Sequence, residues 1–175
     1  MDLLIFDMHG VIYPNIIGGS RIIVKKLYDR IKEPKIGYEE FYLKYKKWTK
    51  GEISEDIFWD NVTDYNYEEC LKEHLDTFKP DMNIVQIVEK IRNNYKTVIL
   101  SNYTVSWADY LLKRDNLDKV FSQVYISEKM KMTKSNKELF ESIINKNKSK
   151  KTYLIDDQIK NLVTASEVRY NHSKI

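Results

Sequence analysis

Short apolar runs separated by longer stretches of helical spacing set the pattern of this chain. The runs are Leu3–Phe6, Thr97–Leu100 within KTVILSN, Val120–Ile126 within VFSQVYIS and Thr152–Ile155 within KTYLIDD. Such runs alternating with helices read as strands of a parallel sheet buried on both faces. Between them Ile84, Ile87, Val88 and Ile91 recur at helical spacing in DMNIVQIVEKIRNN, and SWADYLLKR and SNKELFESIINK follow the same period. Ser135 with Glu138 three residues on predicts a capping box at the start of the last of these. The alternation predicts an α/β domain with a Rossmann-like, doubly wound parallel sheet.

One segment breaks the alternation. From about Ser20 to Phe78 four helical patterns follow one another with no convincing strand: SRIIVKKLYDRI, GYEEFYLKYKKW, SEDIFWDNV and NYEECLKEHL. Asn66 is placed to cap the fourth, with Glu69 at its third position. Pro34, Gly37 and Gly51 punctuate them as turn residues. The expected organisation is a core of residues 1–14 and 80–175, with a helical cap of residues 15–79 inserted after the first strand.

Composition narrows the partners. With 175 residues and 42% hydrophobic content the chain can bury one core. The 29 basic and 26 acidic residues are spread along its length, so neither nucleic acid nor a membrane surface is the expected partner. Its apolar runs fall short of the roughly 18 residues of a membrane span, and the opening residues lack the layout of a secretory signal. A cytoplasmic monomer or weak dimer is expected. Cys70 is the single cysteine and reads as a small core residue.

Parallel sheets carry their chemistry beyond the carboxyl ends of the strands. The four predicted strands end at Asp7, at Ser101 and Asn102, at Ser127 with Lys134 a loop later, and at Asp156 and Asp157. Singly, each is an ordinary turn or cap residue. Together they make a metal-assisted phosphoryl-transfer site. Carboxylates converging in a cleft need a cation among them, and oxygen donors suit Mg²⁺. Lys134 would offset phosphate charge, Ser101 would donate to a phosphate oxygen, and Asp7 could attack phosphorus to form an aspartyl-phosphate.

In order and spacing, IFDMHGVI, VILSN, SEKMKMTKSNKELF and YLIDDQIKNLVTA, with GEISEDIFW in the inserted segment, resemble the haloacid dehalogenase-like hydrolase superfamily. The similarity is to the branch of small sugar-phosphate phosphatases and the N-terminal phosphatase-like domain of epoxide hydrolases. It implies a Rossmann-like core with a helical cap that closes over substrate. It implies Asp7 as nucleophile and Mg²⁺ ligand, Asp156, Asp157 and the His9 carbonyl completing the metal site, and Ser101, Asn102 (through its backbone N–H) and Lys134 holding the phosphoryl group.

Most phosphatases of that superfamily carry a second aspartate where this chain has His9, and three readings follow. With an ordinary pKa near ~6.5 and its charged form favoured beside a phosphate dianion, His9 could serve as general acid and base. The chain could be a relative of the dehalogenases, although those usually lack the paired acids. Or it could be a catalytically impaired protein that binds a phosphorylated ligand or a protein partner. The expected function is a Mg²⁺-dependent phosphatase acting on a small phosphorylated metabolite. Other departures from the family are Lys131 at a customary glycine, Ser135 at a customary proline, and Arg169 near a customary glycine, with a final strand expected to be short or missing. His74 is expected at the surface or half-buried and His172 near a frayed end. Trp48, Trp59 and Trp107 are expected to pack the cap and its junction with the core, with Trp59 or Tyr103 as a less favoured ligand lining.

Overall fold

The apolar runs form one sheet in a computed structural model that describes residues 1–15 and 19–168. Strands β1 (Asp2–Phe6), β2 (Tyr95–Ser101), β3 (Gln123–Ile126) and β4 (Thr152–Ile155) lie in the order β3-β2-β1-β4. Every pairing is parallel, and Phe6 sits opposite both Ile99 and Ile155. All four carboxyl ends therefore open on one edge. Alternate residues feed the two faces, as a pleated strand demands. Leu3, Ile5, Val98 and Leu100 pack with Leu139, Phe140 and Ile143 on one side, while Phe6 and Ile99 join the larger core on the other.

Helices α1 (Gly19–Tyr28), α2 (Tyr38–Thr49), α3 (Glu55–Trp59) and α4 (Tyr67–Asp76) follow β1, with no intervening strand among the described residues. Then come α5 (Met82–Ile91), α6 (Val105–Arg114), α7 (Ser127–Met130), α8 (Lys137–Asn147) and α9 (Ile159–Ser166). The inserted helices have no core of their own. Ile23, Leu27, Phe41, Tyr45, Trp48 and Phe58 are continuous with Phe6, Ile99 and Trp107 in one hydrophobic cluster. At the junction the Trp48 and Trp107 rings meet edge to face at 5.2 Å, and Trp59 stacks on Tyr67 at 4.0 Å. Such pairs contribute about 0.5–1.5 kcal/mol each beyond their buried area.

Polar clasps hold the junction on two sides. Trp48 Nε1 donates to Glu128 Oε1 at 2.9 Å, Val105 N donates to Glu128 Oε2 at 2.6 Å, and Ser127 Oγ donates to the Thr49 carbonyl at 2.5 Å. Gly51 follows, at φ +69°, where a Cβ would stand 2.4 Å from the Glu128 carbonyl; no other residue fits that turn. On the second side Arg114 donates to the carbonyls of Leu75 and Phe78, the last turn of α4 and the residues beyond it.

Several sequence expectations are corrected. The third strand is confined to Gln123–Ile126, because Asn116 adopts a left-handed conformation that starts a 3₁₀ turn at Leu117–Lys119. Phe121 then turns its ring onto Phe6 at 5.6 Å instead of entering the sheet. Helix α8 starts at Lys137 after Asn136, so Ser135 is no capping residue. The Asn136 side chain accepts from Thr133 N and closes the preceding turn. Asn66 caps α4 as its position predicts, accepting from Glu68 N. Lys131 stands at φ +52°, the conformation for which glycine is the favoured residue, and bears a cost of about 1–2 kcal/mol there. His74 is buried at 1% exposure because α4 turns it under the core against Phe78. Cys70 is only half-buried, its thiol donating to the Tyr67 carbonyl. Arg169, His172 and the expected final strand lie outside the described residues.

Candidate active site

Beyond β1 the backbone turns sharply, with Gly10 N donating to the Tyr13 carbonyl and Tyr13 N to the Met8 carbonyl. This leaves the His9 carbonyl without a hydrogen-bond partner among the described residues. Asp7, 4% exposed, is held against the next strand by its own N–H, which donates to the Ile155 carbonyl. Its Oδ1 accepts from Met8 N at 2.6 Å and lies 2.7 Å from Lys134 Nζ. Its Oδ2 has no protein partner among the described residues. Burial pushes the Asp7 carboxyl up to about 6, and Asp156 adds to the rise, while Lys134 and the Met8 bond hold it down.

Lys134 is the hinge of the cluster. Only 1% of its side chain is exposed, and its ammonium also lies 2.7 Å from Asp156 Oδ2. A lysine this buried needs such pairing. Asn102 fixes its backbone: Asn102 Oδ1 accepts from Lys134 N at 2.9 Å. The side chain of Asn102 thus has a positioning task that the sequence reading, looking to its backbone N–H, did not foresee.

The paired acids divide their work. The Asp156 carboxylate is fully enclosed and pinned by three donors: beyond Lys134 it accepts from Gln158 N at 2.8 Å and from Asn161 Nδ2 at 2.9 and 3.0 Å. Asp157 is exposed and carries no hydrogen bond or ion pair among the described residues. Oxygen atoms of Asp7, Asp156 and Asp157 all lie within 4.8 Å of one another. Gly10, at φ +88°, makes room for this, because a Cβ there would stand 2.4 Å from Asp157 Cγ.

These residues fit a hard divalent cation. The donors are all oxygen, and one ammonium among three carboxylates leaves two negative charges to be met when all are ionised. Ser101 and Asn102 line the same cavity, of about 410 Å³, with Asp7, His9, Lys134 and Asp157. All the residues expected at the strand ends therefore meet in one place except Ser127. That residue is consumed by structure, accepting from Tyr103 N as well as bonding to the Thr49 carbonyl.

His9 departs from expectation. Its ring packs against Tyr103 at 4.3 Å, Phe78 at 5.9 Å and Tyr13 at 6.3 Å, and its Nε2 is buried without a protein partner. Burial pushes its pKa down to about 3, and the positive charge of Lys134 adds to the fall. The imidazole is therefore neutral in the ligand-free protein, whereas the charged form is the one expected beside a bound phosphate dianion. The buried carboxylates of Asp7 and Asp156 are already paired with Lys134, whose positive charge acts on His9.

Tyr103 lines the cavity, while Trp59 does not. Sequence reasoning missed Asn161 and Gly10. The first was legible in DDQIKN, where an amide one turn into a helix stands within reach of the acid before it. The second needed the approach of Asp157, which no local pattern encodes.

Comparison with known proteins places these features in a wider group. The chain matches haloacid dehalogenase-like hydrolases over residues 1–168. A HAD family enzyme from Bacteroides thetaiotaomicron, solved as an aspartate-to-alanine mutant in complex with magnesium and inorganic phosphate, superposes with a TM-score of 0.76 at 21% identity, covering 95% of this chain and 90% of that one. A predicted HAD-like family hydrolase from Porphyromonas gingivalis gives 0.70 at 22% identity, covering 95% and 86%. Among curated proteins, none matches the chain.

Proposed function

The chain belongs to the haloacid dehalogenase-like hydrolases, and from that premise we propose that it is a Mg²⁺-dependent phosphatase of small phosphomonoesters, with Asp7 as nucleophile. The observation that carries this reading is the convergence of Asp7, Asp156 and Asp157 around one point, with Lys134 buried among them. The B. thetaiotaomicron neighbour, seen with magnesium and phosphate, supports it.

Asp7, Asp156, Asp157 and the His9 carbonyl would hold the cation. A bound Mg²⁺ would neutralise phosphate charge and orient the phosphoryl group. The residues supply the rest. Met8 N and Lys134 fix one Asp7 oxygen and leave Oδ2 to attack phosphorus. The P–O ester bond breaks as the new P–O bond forms, giving an aspartyl-phosphate and an alkoxide that takes up a proton. Water then attacks phosphorus, inorganic phosphate leaves and the carboxylate returns. Lys134 and Ser101 would stabilise the charge on the transferring group. Rotation of Lys134 away is opposed by Asp156, itself pinned by Asn161.

A His9 that stays neutral with phosphate bound cannot donate as an imidazolium. The proton for the leaving oxygen is then the slow element, and esters with good leaving groups should react best. The same observation favours a second reading, in which the site binds a phosphorylated ligand or partner with little turnover. A dehalogenase is opposed by the paired acids Asp156 and Asp157, which converge with Asp7.

Phosphate release from an aryl phosphate and from alkyl sugar phosphates, with and without Mg²⁺, tests the proposal. Mg²⁺-dependent release that favours the aryl ester and is lost on Asp7→Asn is expected. His9→Asp should raise alkyl turnover, by up to about 10²-fold if it restores acid catalysis. No release from either ester, or release untouched by Asp7→Asn, would overturn the phosphatase.

A further inference from the structure

We propose that the substrate carries a second anionic group on its leaving portion, held by Lys46 and Arg21 on the wall that α1 and α2 contribute to the cavity. This rests on the reading that the strand-end wall takes the phosphoryl group, and it names the class of molecule attached to that phosphate.

The acids of the cavity lie on one side only, which they share with Lys160 and the already paired Lys134. Its acidic lining residues are Asp7 and Asp157, both at the strand ends and both assigned to the cation. The inserted helices present Arg21 and Lys46 and no acid. Lys46 is half-buried and has no carboxylate partner among the described residues. Arg21 is paired with Glu39, and its guanidinium is held over the Tyr42 ring at 5.0 Å, which fixes a cation at this wall. Ser20 and Tyr42, hydrogen-bonded to each other at 3.2 Å, add hydroxyls beside it.

A second observation comes from Tyr45, one residue before Lys46. It is 1% exposed and lines the cavity, yet its hydroxyl is buried without a protein partner. Burial raises its pKa, so the hydroxyl stays a donor. A buried unpaired donor is costly until something accepts from it. An anion gathered by Lys46 is such an acceptor. A neutral sugar would leave the ammonium without a partner on binding. At about 410 Å³ the cavity sits near the small end of ligand sites, which suits a short phosphorylated acid or a short bisphosphate better than a nucleotide.

Calorimetric titration of the Asp7→Asn protein, which cannot turn its ligand over, tests this with Mg²⁺ present. The probes are glycerol phosphate, phosphoglycerate and glycerol bisphosphate. Both doubly anionic ligands are expected to bind at least about tenfold more tightly than glycerol phosphate, the usual scale of one charge-assisted contact. Adding Lys46→Gln should bring the three together, and Lys46→Arg should restore the preference. Preference for phosphoglycerate alone would make the second anion a carboxylate, and for the bisphosphate alone a phosphate; either supports the proposal. Equal affinity for all three in the Lys46 protein would overturn it. Because the readout is binding, it stands apart from the phosphate-release assay: no turnover by the protein with its native Asp7, with the binding preference retained, would sink the phosphatase and spare the subsite.

Discussion

The two walls of the cavity are built on opposite terms. At the strand ends the buried polar groups bond to one another: Asp156 takes Lys134, Asn161 and Gln158 N, and Asp7 takes Lys134 and Met8 N. In the aromatic layer under the inserted helices His9, Tyr45 and Tyr103 line the cavity and each bury a polar atom without a protein partner, as do His74 and Trp107 behind them. The strand-end wall is preorganised, with its geometry fixed before any ligand arrives. The other keeps donors in reserve and charges suppressed, as the low pKa values of His9 and His74 record. Chemistry is assigned to the satisfied wall, and choice of substrate to the unsatisfied one.

The contrast predicts where substitutions hurt. Lys134→Met should do the most damage to the fold, since it strands two buried carboxylates; the expected loss is about 3–5 kcal/mol, read by urea unfolding of the metal-free protein. Asp7→Asn should behave in the opposite way. Its carboxyl is raised from 3.8 to about 6 by burial, so ionising it costs the folded state about 3 kcal/mol at neutral pH as an upper figure. The amide should leave the metal-free protein at least as stable while ending turnover. Equal destabilisation by both changes would erase the difference between the pair.

Gly10→Ala sharpens the metal side. Its Cβ would meet Asp157 at 2.4 Å, so Mg²⁺ affinity should fall about 10–100-fold while the apo melting temperature drops much less. Unaltered Mg²⁺ affinity would remove Asp157 from the cation site.

The smallest effect is on the aromatic side and follows pH. His9 and His74 have folded pKa values of about 3 and about 4, both below the usual histidine value of 6.5. Each favours the folded state while neutral, so its contribution is complete above about 6.5 and is lost progressively as pH falls from there toward those lower values. Asp7 works against them, gaining stability as pH drops from about 6 toward 3.8. Two histidines outweigh one carboxyl, and the metal-free melting temperature should decline from pH 7 to pH 4.5. His74→Phe should flatten that decline; an unchanged slope would show that His74 is not the buried neutral group described.

Much of the satisfied wall was legible in the sequence because strand ends are a local signal. Asp7, Ser101 and Asp156 each follow an apolar run and Lys134 comes a loop after one, and a parallel sheet brings such positions together without further information. The other wall was not legible. Whether His9 is charged depends on Tyr103, Phe78 and Lys134, which are remote in sequence, and His74 sits on a helix whose buried face is chosen by the whole core. Local readings failed at the same kind of place. The strand expected from Val120 is cut short by the packing of Phe121, and the cap expected at Ser135 is displaced because Asn136 closes the turn before it.

The central claim is that three carboxylates hold one divalent cation beside Lys134, and titration of Mg²⁺ into the protein in the presence of inorganic phosphate tests it most directly. Saturable binding of a single ion per chain, tightened by phosphate and weakened at least about tenfold by Asp157→Asn, is the predicted result. Absence of saturable binding, or binding indifferent to both phosphate and Asp157→Asn, would contradict it.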